Sequence, residues 1–136
     1  MNTFVSEFND NLRFLLRVYV TKSKNTFSEE KASRDSKRLS IVLSTYPTLI
    51  FEHAGPIFVK YSSLIHEEKW EELMRQDFTE EKKQATDTAE VDTYINFIKQ
   101  LYNVCNTKEK EKIGDAIKNM LSSYCSYVVR SREKNQ

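Results

Sequence analysis

Residues 45–65 read TYPTLIFEHAGPIFVKYSSLI, and the reading of this stretch decides the fold. Leu49, Ile50, Ala54, Ile57, Phe58, Tyr61, Leu64 and Ile65 recur at the three- and four-residue intervals that gather apolar side chains on one side of an α-helix. Its middle nevertheless holds one of the chain's two glycines and one of its two prolines, side by side. Pro56 has no N–H to give to the Glu52 carbonyl, and its ring presses on the preceding turn. Gly55 is able to absorb the resulting backbone change. Pro47 suits a first helical turn, where a missing N–H costs nothing. The stretch therefore predicts two helical pieces, 47–54 and 56–66, meeting at a kink or break at Gly55-Pro56 that keeps both halves on a rounded core.

Only two glycines and two prolines in 136 residues is far below the usual ~7% and ~5%. These residues punctuate chains with turns, so their scarcity leaves room for few connections and long elements. The expectation is an all-α fold, a single compact bundle-like domain over 1–136 with about six helices, and a C-terminal helical hairpin.

On either side of the opening stretch the same periodicity continues. Phe4, Phe8, Leu12, Leu15, Leu16 and Tyr19 mark a first helix. TKSKNTF, 21–27, breaks the pattern and reads as a loop, and Ser28 followed by Glu29 and Glu30 reads as the cap and acidic first turn of a second helix. That helix carries Ala32, Leu39, Val42 and Leu43 inward and Arg34, Lys37 and Arg38 outward. HEEKWEELMRQDF, 66–78, predicts a short helix with Trp70, Leu73 and Met74 inside. Residues 79–90 lack apolar periodicity and read as a linker between an N-terminal unit, 1–78, and a hairpin, 91–131, with a frayed tail at 132–136. In the hairpin, Val91, Ile95, Ile98, Leu101 and Tyr102 face inward from one helix. Ile113, Ile117, Met120, Leu121, Tyr124 and Val128 do so from the other. Between them, Asn106 or Thr107 caps the second helix, and Glu109 stands where it closes a capping box on Asn106.

Charge is nearly balanced at +1, which gives no net field toward nucleic acid or a membrane surface. Its distribution is uneven. Residues 1–66 hold nine Lys/Arg against six Asp/Glu, 67–90 hold four against nine, and 91–136 hold eight against five. The start, MNTFVSEFND, has acids where a secretory leader needs lysines, and nothing approaches a bilayer-spanning apolar run. A non-secreted protein with reduced thiols is expected. In the hairpin, Cys125 would lie about 27 Å from the turn that holds Cys105, far beyond disulfide reach, and both thiols are expected to be largely buried.

No residue pattern carries recognisable chemistry. His53 and His66 stand apart from the cysteines and from any paired ligand spacing that zinc requires. Two glycines cannot form a Gly-x-Gly-x-x-Gly or Walker loop. The expectation is a non-enzymatic protein with no metal, no cofactor and no membrane span. Three surfaces stand out as candidate protein contacts. They are the basic face Arg34, Lys37 and Arg38, the acidic face Glu67, Glu68, Glu71 and Glu72, and the C-terminal Tyr127, Arg130 and Arg132. Tyr124 and Tyr127 fall on different sides of one helix, which predicts that one is exposed as a contact. Opposite charge on the first two faces would allow head-to-tail contacts between copies.

Pro47, Val59, Lys60, Tyr61, Ile65, Trp70 and the pair Asp77-Phe78, with AIKNM at 116–120 and Tyr127 further on, resemble a pattern in small helical proteins encoded by large nucleocytoplasmic DNA viruses of algae and protists. The likeness covers about two-thirds of the chain through scattered positions. Tyr46 stands where that pattern has Asn, and Gly55-Pro56 interrupts a helix that it leaves whole. The resemblance implies a viral source and brings no assigned activity. With the surfaces above, it leads to the expectation of a minor virion component, in the capsid or beneath it, that binds viral structural proteins or copies of itself. The alternatives are a regulator in the infected-cell cytoplasm that binds a host factor, and a helical nucleic-acid-binding protein.

Overall fold

The first helix shows why the periodicity works. Val5, Phe8, Leu12, Leu15, Leu16 and Tyr19 all fall on one side of it, none more than 3% exposed. In the computed structural model, which describes residues 2–26, 29–76 and 88–134, seven helices and no strand are found among the described residues. They are α1 (Thr3–Thr26), α2 (Glu29–Thr45), α3 (Leu49–Lys60), α4 (Ser62–His66), α5 (Trp70–Arg75), α6 (Thr88–Val104) and α7 (Thr107–Lys134). Asn2 opens α1 by accepting the Phe4 N–H at 2.7 Å on its Oδ1, a side-chain cap.

The most extensive contact in the molecule is α1 against α7. Ile113, Ala116, Ile117, Met120 and Leu121 of α7 are buried in the same core as the inward face of α1. α2 and α6 also lean on α1, so the N-terminal helices and the two C-terminal helices share one core. Tyr19 donates its hydroxyl to Gln100 Oε1 at 3.0 Å and so ties α1 to α6. Phe51 of α3 is a hub. Its ring meets Phe8 edge-on at 5.2 Å, Tyr124 at 5.1 Å and Tyr127 edge-on at 5.1 Å. Aromatic pairs at these spacings add to the area they bury.

The opening stretch does fold as two helical pieces, but the division falls five residues later than the sequence predicts. Pro56 sits inside α3, its side chain exposed, and the helix continues past it. The break comes at Tyr61, whose φ of −103° and ψ of 20° leave the helical region. Pro47 lies in the turn before α3 rather than in its first helical turn. Its carbonyl accepts the Asn9 Nδ2–H at 2.7 Å, which fastens that turn to α1. Gly55 has an unexceptional backbone, and its role is packing: a Cβ there would fall inside the Tyr124 ring.

Other departures from the sequence reading have local causes. α1 runs through 21–26 where a loop is predicted, because no Gly or Pro interrupts it, lysines are good helix formers, and Lys22 is held by Glu109 at 2.6 Å. The proposed Ser28 cap lies outside the described residues. So do 79–87 of the predicted linker, whose last residues, 88–90, already belong to α6. α7 continues to Lys134, past the predicted start of fraying at 132. Both cysteines are unbridged, but only Cys105 is buried. From Met120 the inward stripe of α7 passes through Ser123 to Tyr127, leaving Cys125 to solvent.

Candidate functional site: a groove between α5 and the C-terminal hairpin

The turn from α4 into α5 is built by hydrogen bonds and one unusual backbone. The Lys69 N–H donates to the Leu64 carbonyl at 2.9 Å and the Glu68 N–H to the Ile65 carbonyl at 3.2 Å. This pairing closes a helix with a residue in the left-handed region, a place glycine usually takes. Here Glu68 takes it, with φ 58°, and no other non-glycine among the described residues has positive φ. The turn aims Trp70 at α7, where Gly114 lets the indole come close. A Cβ at 114 would stand 2.8 Å from Trp70 Cζ2 and 3.1 Å from Nε1.

On the far side, the α6–α7 turn is fixed by the predicted capping box. Asn106 N–H donates to Glu109 Oε1, and Glu109 N–H donates to Asn106 Oδ1, both at 2.9 Å. The Asn106 N–H and then Lys22 hold the Glu109 carboxyl below its ordinary range, and Glu109 in turn raises the Lys22 ammonium. Burial pushes the neighbouring Cys105 thiol up, the opposite of what an activated nucleophile needs.

Between these two turns lies an open groove of about 530 Å³, with Trp70 and Tyr102 as its aromatic parts and Glu68, Glu71, Glu111 and Asp115 as its carboxylates. Lys110 Nζ sits 4.5 Å from the Tyr102 ring centre, so a cation already rests on this aromatic face. Burial, and then the Glu71 carboxylate, raise the Tyr102 phenol. Glu68 pairs with Lys118 and Glu71 with Arg75 at 3.8 Å. Glu111 and Asp115 have no ion-pair partner among the described residues. Exposed pairs of this kind are worth only about 0–1 kcal/mol each, so the carboxylates can exchange partners readily.

The four acids singled out from sequence therefore separate. Glu68 and Glu71 line the groove, whereas Glu67, paired with Lys69 at 3.1 Å, and Glu72 do not. Glu111 and Asp115 are the additions. They are reached only through the Trp70–Gly114 contact, and the one sequence signal for it is a glycine placed inside a long helical run.

Arg34, Lys37 and Arg38 are exposed on α2, with Ile41 continuing the same i, i+3, i+4, i+7 line at 65% exposure. No other large apolar side chain among the described residues is as exposed. Tyr127 is half-buried against Phe51 and Tyr124 also packs there, so neither is the exposed aromatic contact that the sequence predicts. Arg130 places its guanidinium 5.7 Å from the Phe4 ring, and Arg132 is exposed. No cluster of metal-ligating side chains, and no helix long and apolar enough to cross a membrane, occurs among the described residues. In comparisons of the chain with protein-family models, curated proteins and solved structures, none matches.

Proposed function

We propose that this chain is a non-enzymatic viral protein that works through protein–protein contacts, as a minor component of the virion in the capsid or beneath it. One observation carries the reading: the chain bears both an open acidic groove with two aromatic side chains and a basic helix face that ends in an exposed isoleucine. Aromatic side chains and arginines are the usual anchors of protein interfaces. The viral source rests on the sequence resemblance carried by Pro47–Phe78, 116–120 and Tyr127, and the virion location on that source taken together with the charged surfaces. A second reading, a regulator that binds a host factor in the infected-cell cytoplasm, is favoured by the groove itself, whose size is that of a pocket receiving a guest rather than a flat packing face. Nucleic acid is the weaker fit, since the net charge is +1 and a phosphate backbone offers nothing to Ile41.

Quantitative mass spectrometry of salt-washed, purified particles of the source virus tests the first reading. A fixed ratio to the major capsid protein is expected. Absence from particles, with abundance in infected cells, would overturn the virion assignment in favour of the regulator.

A further inference from the structure

The groove and the basic face match each other. The groove is lined by four carboxylates, two of them, Glu111 and Asp115, without an ion-pair partner among the described residues, and by one lysine, whose ammonium lies 4.5 Å from the Tyr102 ring centre. The α2 face offers Arg34 and Lys37, neither with an ion-pair partner among the described residues, and Ile41 one turn further along. Spacing of i, i+3, i+7 is how a helix presents anchors to a receiving groove. We propose that the Arg34–Lys37–Ile41 face of one copy docks in the Trp70–Tyr102 groove of a second copy, head to tail. The proposal rests on the protein-contact reading above and deepens it by naming the partner.

The two surfaces belong to different elements. α2 packs on α1, α3 and α6, while the groove is formed by α5 and the ends of α6 and α7. Contact between two dissimilar patches in a head-to-tail arrangement is heterologous, so it closes into a ring or continues as an open chain. Ile41 decides between a second copy and a nucleic acid as the occupant's class. Cations alone suit phosphates, but an isoleucine 65% exposed at the end of the cationic line gains from contact with the half-buried Trp70 indole and gains nothing from a sugar–phosphate strand. Because the contact is ionic at its edges, complementary charge sets register and on-rate, and salt weakens it.

Sedimentation velocity on the full chain tests this, with circular dichroism confirming that each variant is folded. Species larger than a monomer are expected to grow with concentration at about 50 mM salt and to shrink at about 500 mM, where the Debye length is only a few ångströms. Lys37→Glu and Glu111→Lys, both at exposed positions, should each weaken association at least about tenfold. An equimolar mixture of the two should associate again, since it unites an unaltered face with an unaltered groove. Ile41→Ser should weaken association without changing its salt dependence. A chain that stays monomeric to about 1 mM at low salt, or that associates equally well with either charge reversal, overturns the proposal. So does a monomer that binds a short RNA through Lys37 with log affinity linear in log salt. A monomer that instead cross-links through the groove to another protein of the particle overturns self-docking and leaves the protein-contact reading standing. A monomer that is also absent from particles removes self-docking and the virion assignment together.

Discussion

The chain's two glycines occupy matching places and build different things. Gly55 lies within α3 and Gly114 within α7, both with ordinary helical backbones, and each is covered by an aromatic ring from another helix. At Gly55 the ring is Tyr124, pinned by Phe51, which also holds Phe8 and Tyr127, so the contact is part of the core. At Gly114 the ring is Trp70, half-buried at the start of a six-residue helix, and the contact forms an edge of the groove. Glycine in a helix interior gives up about 1 kcal/mol relative to alanine. In both places close approach replaces it, once for stability and once for a surface.

Gly55→Ala breaks the comparison hardest. The new methyl would lie within the Tyr124 ring, near its fixed end as well as its rim, and the ring has Phe51 on its other contact. Overpacking a tight site usually costs 1–3 kcal/mol, sometimes more, and the gain in helix propensity offsets only part of it. A net loss of about 2 kcal/mol is expected in urea unfolding. A variant as stable as the parent would mean that α3 and α7 can separate freely, against the hub drawn here.

Glu68→Gly acts on the groove side with the opposite sign. Glu68 holds φ 58° at the end of α4, a conformation that costs a non-glycine residue roughly 1 kcal/mol. Glycine removes that cost, while the exposed pair to Lys118 is worth about 0–1 kcal/mol. Stability should rise by up to about 1 kcal/mol, read as a higher urea midpoint, and groove-dependent association should fall because a lining carboxylate is gone. A loss of stability would show that the Lys118 pair outweighs the backbone.

Gly114→Ala sharpens the contrast with Gly55→Ala. The methyl meets the outer edge of an indole at 2.8 Å, and α5 is short and half-exposed, so Trp70 is able to move aside. Propensity and crowding should nearly cancel, leaving stability within about 1 kcal/mol of the parent. The chain's single tryptophan reports the move directly, and its emission should shift to the red as the ring leaves α7. A large loss of stability with unchanged emission would place Trp70 in the core instead.

How much of this was legible in the sequence follows from how far apart the interacting residues are. The faces of α1, α2 and α7 could be read because three- and four-residue spacing repeats along a helix, and the Asn106–Glu109 box because it is complete within four residues. Phe51 and Phe97, 1% exposed each, carry no such signal, because one apolar residue beside others does not show which side it faces. The continuation of α1 past Thr21 is supported in part by Lys22 reaching Glu109, 87 positions away, and no local pattern shows that contact. The acidic face divides for the same reason. Glu68 and Glu71 could be named from their own helix-and-turn segment, but Glu111 and Asp115 join them only through the indole resting on Gly114.

The smallest effect probes the turn that frames the groove from the α7 side. Lowering of the Glu109 carboxyl means its contribution is complete above the unfolded value, about 4.3, and is lost as pH falls through the folded one. Raising of Lys22 means its share is complete below about 10.4 and is lost as pH rises through its folded value. Glu109→Gln keeps an acceptor for the Asn106 N–H, since Gln also serves in a capping box, and deletes only the charge. The difference in urea midpoint between parent and variant should therefore be flat across neutral pH. It should close in acid as Glu109 protonates and narrow in strong base as Lys22 discharges. A difference that persists unchanged to pH 3 would assign the effect to shape rather than charge. The turn would then be held by its two hydrogen bonds alone, with the tie to α1 contributing nothing.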